Sequence, residues 1–101
     1  MDNTSHANNE RSFEWLFDRI LKDSGLITSQ LGLIMALYYY SHACNLRLPF
    51  QVSRRKLMAF SKIRSISTYH RCIKILVKLG YIDYVPSYHP LLASNFRFLI
   101  P

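Results

Sequence analysis

The stretch from Ser65 to Ile82 constrains the fold more than any other part of the chain, because it predicts a helix with one apolar and one polar face. The side chains of the inward face recur at helical spacing and are Ile66, Tyr69, Cys72, Ile73 and Leu76. Ser65 is a predicted N-cap, since its hydroxyl can accept a hydrogen bond from a free amide of the first turn. Gly80 is predicted to end the helix in a left-handed conformation.

The opposite face of this predicted helix combines hydroxyls, an imidazole and cations, namely Ser67, His70, Arg71, Lys74 and Lys78. On an ordinary surface helix such side chains are simply solvated. The charge distribution favours a further role, because residues 44–101 carry ten lysines and arginines against one acid, Asp83. Residues 1–43 carry three basic residues against five acidic ones. A basic half of this kind favours a polyanionic partner, either nucleic acid or an anionic membrane surface.

The membrane alternative is the weaker of the two. The longest apolar run, Leu31 to Tyr40, has ten residues, which is about half of what a bilayer span requires. The first residues do not show the charged and then apolar pattern of a secretory signal. Two cysteines are too few for a disulfide scaffold. We therefore expect a cytoplasmic protein with no membrane partner.

The N-terminal part predicts a disordered tail over residues 1–10, followed by a single domain over residues 11–101. Residues 11–25 form a predicted amphipathic helix whose apolar side chains are Phe13, Leu16, Phe17, Ile20 and Leu21. Trp15 lies off this stripe, and an exposed tryptophan can mark contact with a second subunit. We therefore predict a homodimer through this helix.

A second predicted helix runs from a cap at Thr28 or Ser29 to about Ala43. Apolar side chains cover every side of it, so it is expected to be buried from several directions as the central helix. Its three consecutive tyrosines, residues 38–40, could stack on bases. Because successive helical residues fan out by about 100°, we interpret them instead as core side chains with hydroxyls at the rim.

The basic half continues with a short extended piece at Phe50–Val52 and a third helix, Arg54 to Phe60, capped by Ser53. Cations in the first turn of that helix oppose its dipole unless an anion such as phosphate neutralises them. After the turn at Ser61–Arg64 and the Ser65 helix, residues 81–85 and 95–100 predict a β-hairpin with a loop of roughly eight to ten residues. The predicted fold class is mainly α with a small β-hairpin (α+β).

This order of elements, together with Ser65-x-x-Thr68-x7-Leu76-x3-Gly80-x-Ile82, resembles the bacterial winged helix-turn-helix regulators of the GntR and MarR families. The start Ser53-Arg-Arg-Lys-Leu57 resembles the first helix of their helical pair, and the resemblance covers about residues 48–100. Residues 11–25 would then be an extra N-terminal helix. The size of the chain and its loop Pro86–Pro90 also resemble small regulators carried on mobile elements of Bacteroides-type bacteria.

The resemblance implies a sequence-specific transcriptional regulator whose helix 65–79 enters the major groove of double-stranded DNA. The side chains expected to face the DNA are Ser65, Ser67, Thr68, His70 and Arg71, with Lys74 nearer the backbone. Those expected to hold phosphates are Arg54, Arg55, Lys56, Lys62 and Arg64. The tip of the hairpin offers only Ser87, Tyr88 and His89, so a backbone contact is expected there rather than insertion into the minor groove.

Other classes of function are less well supported. His42-x-Cys44 and His70-x-Cys72 could suggest a metal, but residues i and i+2 of a helix point about 200° apart, so we expect no metal and no cofactor. No grouping of a nucleophile, a base and a phosphate cradle is recognisable, so we do not expect an enzyme. A winged helix used for protein contact and a replication or excision accessory factor of a mobile element stay open as alternatives.

Overall fold

The computed structural model describes residues 3–42, 45–87 and 93–100, and in that part of the chain four helices pack with a three-stranded antiparallel sheet. The elements in chain order are α1 (Asn3–Lys22), α2 (Thr28–Tyr40), β1 (Phe50–Val52), α3 (Arg54–Ser61), α4 (Ile66–Lys78), β2 (Ile82–Val85) and β3 (Ser94–Phe98). The strands lie in the order β1–β3–β2. The predicted α+β class is confirmed at this level, whereas the pairing of β1 with the hairpin was not predicted.

Helix α2 is the central element, as its sequence predicted. Leu33, Ile34, Ala36 and Leu37 are completely buried, and the helix packs against α3, α4 and β1. These residues belong to one apolar core that reaches every element of the fold. The core therefore packs against most sides of α2, as expected for a helix without a polar face, although Leu31 and Tyr39 are exposed.

Both ends of α2 differ from the prediction. The N-cap is Ile27, not Thr28 or Ser29, and it makes no side-chain cap bond. Instead, the buried Gln30 side chain accepts a hydrogen bond from the Ile27 amide at 3.1 Å. The helix ends at Tyr40, because the Ser41 hydroxyl donates to the Tyr38 carbonyl at 2.7 Å. The predicted end at Ala43 lies outside the described residues.

The three tyrosines that end α2 form no single stacking surface, as expected, because Tyr38 faces α1 whereas Tyr39 and Tyr40 both contact Phe60 of α3. Tyr38 makes edge contacts with the rings of Phe13 and Phe17 on α1. Tyr39 stacks on Phe60 of α3 with ring centroids 5.1 Å apart, but its side chain is 66% exposed. The core interpretation is therefore wrong for Tyr39, because Phe60 at the exposed end of α3 covers one face of its ring and leaves the rest in solvent.

Helix α1 begins at Asn3, so the expected disordered tail over residues 1–10 is wrong for residues 3–10. No proline or glycine interrupts this segment, and the helix continues through it beyond the apolar stripe. Leu16 is completely buried, but Leu21 is 83% exposed, and Phe13 is 46% exposed although its ring packs against Phe17 and Tyr38. The predicted inward orientation is therefore wrong for Leu21 and holds only in part for Phe13, because the core covers a narrower stripe of α1 than the sequence pattern spans.

Arg19 ties α1 to the end of α4. Its guanidinium donates hydrogen bonds to the Leu79 carbonyl and, at 2.9 Å, to the Gly80 carbonyl. A cation is favourable at the C-terminal end of a helix, where carbonyl groups lack partners. Trp15, expected to be exposed because it lies off the apolar stripe, is instead half-buried against the core, with the Arg19 guanidinium 5.7 Å from its ring.

Tyr81 completes this junction between α1 and the basic half. Its ring lies 4.0 Å from the Arg19 guanidinium, and its hydroxyl donates to the Asp23 carboxylate at 3.0 Å. Burial and this hydrogen bond raise the pKa of Tyr81 to about 12. The neutral phenol is therefore favoured in the folded protein, and the stability that it contributes is lost as pH rises from about 10 toward 12.

The sheet covers the core with alternating side chains. Phe96 and Phe98 on β3 are buried and Arg97 between them is exposed, as predicted. Phe96 lies opposite Phe50 on β1. Residues 86–93 connect β2 to β3, which agrees with the predicted loop length. On the outer face Arg97 donates to Asp83 at 2.8 Å, so this cation is neutralised.

Gly80 follows α4 with φ of 80°, as the sequence predicted. We expect Gly80→Ala to lower the free energy of unfolding by about 1 kcal/mol, because a side chain strains a left-handed residue. Gly25→Ala is a matched control, since Gly25 has no positive φ and its added Cβ would meet the Asp23 carboxylate at an ordinary 3.5 Å. Urea denaturation measures the free energy of unfolding of both variants. Equal losses would contradict the claim that the left-handed backbone conformation at Gly80 requires glycine.

Candidate nucleic-acid interface

Helices α3 and α4 are joined by a short turn over residues 62–65. The Ser61 hydroxyl donates to the Leu57 carbonyl at 2.7 Å at the end of α3, and Lys62 then adopts a left-handed conformation with φ of 63°. Ile63 is buried in the core, whereas Lys62 and Arg64 on either side of it are exposed. The buried isoleucine thus fixes a turn that presents two cations to solvent.

Both helices begin with the predicted serine caps. The Ser53 hydroxyl accepts from the Lys56 amide at 3.2 Å, and the Ser65 hydroxyl accepts from the Thr68 amide at 3.3 Å. The hydroxyls of Ser65 and Ser67 also lie 2.9 Å apart and share a hydrogen bond. The two hydroxyls closest to the start of α4 are therefore already hydrogen-bonded within the protein.

Helix α4 divides into the two faces that the sequence predicted, with one exception. Tyr69, Cys72, Ile73 and Leu76 are buried. Ile66, predicted to face inward, is 50% exposed. It is the first residue of the helix and lies roughly 70° around the axis from the middle of the buried face, so the core does not cover it.

The polar face of α4 follows, along the chain, the basic segments of α3 and the turn. Of the eleven predicted site residues, ten are exposed and Thr68 is half-buried. The exposed ones are Arg54, Arg55, Lys56, Lys62, Arg64, Ser65, Ser67, His70, Arg71 and Lys74. None of their cations forms an ion pair with a carboxylate in the described part of the chain. We call this surface of α3, the turn and α4 the cationic face.

A groove of about 500 Å³ opens between the turn and the starts of α2 and α4. Its polar lining residues come from α2 (Thr28 and Ser29), the end of α3 (Ser61), the turn (Lys62, Arg64 and Ser65) and α4 (Thr68). Thr28 and Ser29 were not predicted as site residues. Paired hydroxyls at a helix start were visible in the sequence, but only the packing of α2 beside the turn brings them to the cationic face.

The first amides of α2 add to the chemistry of this groove. Thr28 and Ser29 are the first two residues of α2, whose backbone N–H groups have no partner within the helix. The side chain of the N-cap, Ile27, cannot accept a hydrogen bond from them. Amides, hydroxyls and two cations around one groove are the groups that bind a phosphate.

The hairpin contributes less to this surface. Ser87 is half-buried and its amide donates to the Ser94 hydroxyl at 3.3 Å, while Tyr88 and His89 lie outside the described residues. Among residues 3–42, 45–87 and 93–100 no three His, Cys, Asp or Glu side chains are grouped as a metal site would require, and Cys44 lies outside these ranges. No helix there has the length and apolar content needed to cross a bilayer.

No protein-family model, curated protein or solved structure matches this chain. The function is therefore inferred from the geometry and charge of the molecule itself.

Ser65→Ala tests how the start of α4 is held. We expect a loss of about 1 kcal/mol in the free energy of unfolding, because the Thr68 amide loses its acceptor. Ser67→Ala, which removes a hydroxyl bonded to Ser65 but caps nothing, should change stability by less than about 0.5 kcal/mol. Urea denaturation compares the two variants. A larger loss for Ser67→Ala would show that the cap does not hold this end of the helix.

Proposed function

We propose that the protein is a bacterial, sequence-specific transcriptional regulator of winged helix-turn-helix type that binds double-stranded DNA. The observation that supports this most is the cationic face, where exposed cations without carboxylate partners follow one another along α3, the turn and α4. In residues 44–101 the single acid is Asp83, and it is paired with Arg97 on the outer face of the sheet. The cationic face therefore keeps its charge for an external polyanion.

Helix α4 is the element proposed to enter the major groove, which is wide enough for one α-helix. Its outward side chains, Ser67, Arg71 and Lys74, are exposed on the face opposite the core. Arg71 can donate two hydrogen bonds to O6 and N7 of guanine, which is the commonest specific contact of arginine. Lys74 lies about one turn further along the helix and would contact the backbone.

The phosphates would be held by the segments that flank α4. Arg54, Arg55 and Lys56 occupy the first turn of α3, where positive charge opposes the helix dipole. A phosphate bound there would relieve this repulsion. The groove with Lys62 and Arg64 offers a second phosphate position beside the start of α4. Such contacts fix the register of the protein on DNA without reading its sequence.

The hairpin is proposed to make at most a backbone contact, since Arg97 already bonds Asp83. A protein-contact module is the second candidate, favoured by the stacked pair Tyr39 and Phe60, both of which are exposed. That surface carries aromatic side chains and could bind an apolar partner. The two candidates differ in the predicted response to DNA and salt.

Salt dependence tests the proposal. We expect the protein to bind a fluorescent duplex at low salt, with a log–log slope of about −5 for each bound copy, because roughly six cations per copy would neutralise phosphates. Fluorescence anisotropy between about 50 and 200 mM salt measures this slope. No binding at low salt by a chain that circular dichroism shows to be folded would contradict DNA binding and favour the protein-contact module.

Two variants separate sequence reading from phosphate binding. Arg71→Ala should lose roughly 1–3 kcal/mol on a duplex selected from a random pool and relax its base preference, whereas Lys56→Ala should weaken all sequences about equally and reduce the salt slope by about 1. Arg97→Ala is the control, since this arginine is neutralised by Asp83 away from the cationic face. Identical behaviour of the Arg71 and Lys56 variants would contradict the proposed division of roles.

We also propose that two copies pair through α1. Leu21 and Phe13 are exposed on this helix, and its outer side carries exposed charges of both signs at Glu14 and Lys22. An antiparallel arrangement would set Glu14 of one copy opposite Lys22 of the other, which is the self-complementarity that a twofold interface requires. Two copies would bind half-sites about one helical turn, or a multiple of it, apart.

Light scattering at tens of micromolar tests this pairing. We expect a dimer for the unaltered chain and a monomer for Leu21→Asp, because the substitution places a charge in an apolar contact. Val85→Asp, at a valine that is exposed on the sheet, should leave the dimer intact. A monomeric unaltered protein would contradict pairing through α1.

A further inference from the structure

Ile66 is an exposed apolar side chain at the edge between the buried and the polar face of α4. It is the first residue of α4 and half of its side chain is in solvent, although its neighbours Ser65 and Ser67 carry hydroxyls. A single exposed isoleucine is common on protein surfaces and needs no explanation by itself. Its position at the start of α4 suggests a role, because the N-terminal residues of a helix in the major groove are the ones that contact base edges.

The neighbouring hydroxyls are engaged within the protein. The Ser65 hydroxyl accepts from the Thr68 amide and shares a hydrogen bond with the Ser67 hydroxyl. These groups therefore have less capacity to bond an external partner than two free serines would. The exposed part of the Ile66 side chain is a branched hydrocarbon, and it lies in the first turn of α4 beside these engaged hydroxyls.

Major-groove chemistry offers one apolar group that fits this side chain. Thymine carries a C5-methyl group in the major groove, and cytosine, guanine and adenine have none there. We propose that Ile66 packs against the methyl group of a thymine and makes the protein prefer thymine at that position. This inference rests on the proposed function and adds an apolar specificity contact to the polar ones.

Deoxyuridine substitution tests the contact directly, because uracil is thymine without its methyl group. A duplex selected from a random pool with the unaltered protein is resynthesised with each thymine replaced in turn, and anisotropy gives the dissociation constants. For the unaltered protein we expect one replacement per half-site to weaken binding about fourfold, the factor that corresponds to one buried methyl group. For Ile66→Ala the same replacement should have no effect.

Val77→Ala provides the matched control. Val77 is also β-branched and is 40% exposed on the same helix, but it lies eleven residues further on, which is about 16 Å along the axis. Its variant should keep the full sensitivity to uracil. Thermal unfolding of both variants reports any loss of stability separately. The ratio of the dissociation constants for the uracil and thymine duplexes does not depend on how much of a variant is folded, because partial unfolding changes both constants by the same factor.

The outcomes separate this inference from the proposed function. Suppose that a sequence is selected, but every replacement of thymine by uracil changes binding equally for the unaltered protein and for Ile66→Ala. The methyl contact is then refuted, and DNA binding stands. Equal loss of uracil sensitivity in the Val77 variant also refutes it. If no sequence is selected from the pool and no duplex binds at low salt, the proposed function fails and this inference fails with it.

Discussion

Helix α2 carries apolar side chains around almost its whole circumference, and burying it requires partners on every side. The helices α3 and α4 and strand β1 supply most of those partners. Helix α1 adds Leu16 to the core and packs the rings of Phe13 and Phe17 against Tyr38 of α2. Each partner packs its own apolar face against α2, so its polar face is directed toward solvent. The cationic face is thus a consequence of the burial of α2: the side chains that could not enter the core are the arginines, lysines and hydroxyls of α3, the turn and α4.

Much of this arrangement could be predicted because local chemistry decides it. Ser53 and Ser65 cap their helices, and Gly80 supplies a left-handed residue, since few other residue types satisfy a helix end. The buried face of α4 follows from the period of 3.6 residues. The alternation of Phe96 and Phe98 with Arg97 follows from the period of two in a strand.

The features that sequence reasoning missed depend on contacts between distant parts of the chain. Periodicity assigned Leu21 and Ile66 to inward faces, but it cannot tell how far the core extends along each helix. Arg19 caps α4 from a helix sixty residues earlier, which no local pattern reveals. Thr28 and Ser29 reach the cationic face only because α2 begins beside the turn. These are tertiary effects, and composition or spacing carries no information about them.

Amide chemical shifts measured during titration with a duplex from a random-pool selection test the central claim most directly. We expect the largest changes at the starts of α3 and α4 and along the turn, residues 53–56 and 62–71, with small changes at Asp83 and Arg97 on the outer face of the sheet. Lower salt should increase the bound fraction without moving the affected region. Largest changes on α1 or the sheet, with residues 62–71 unaffected, would contradict the proposal that the cationic face binds DNA.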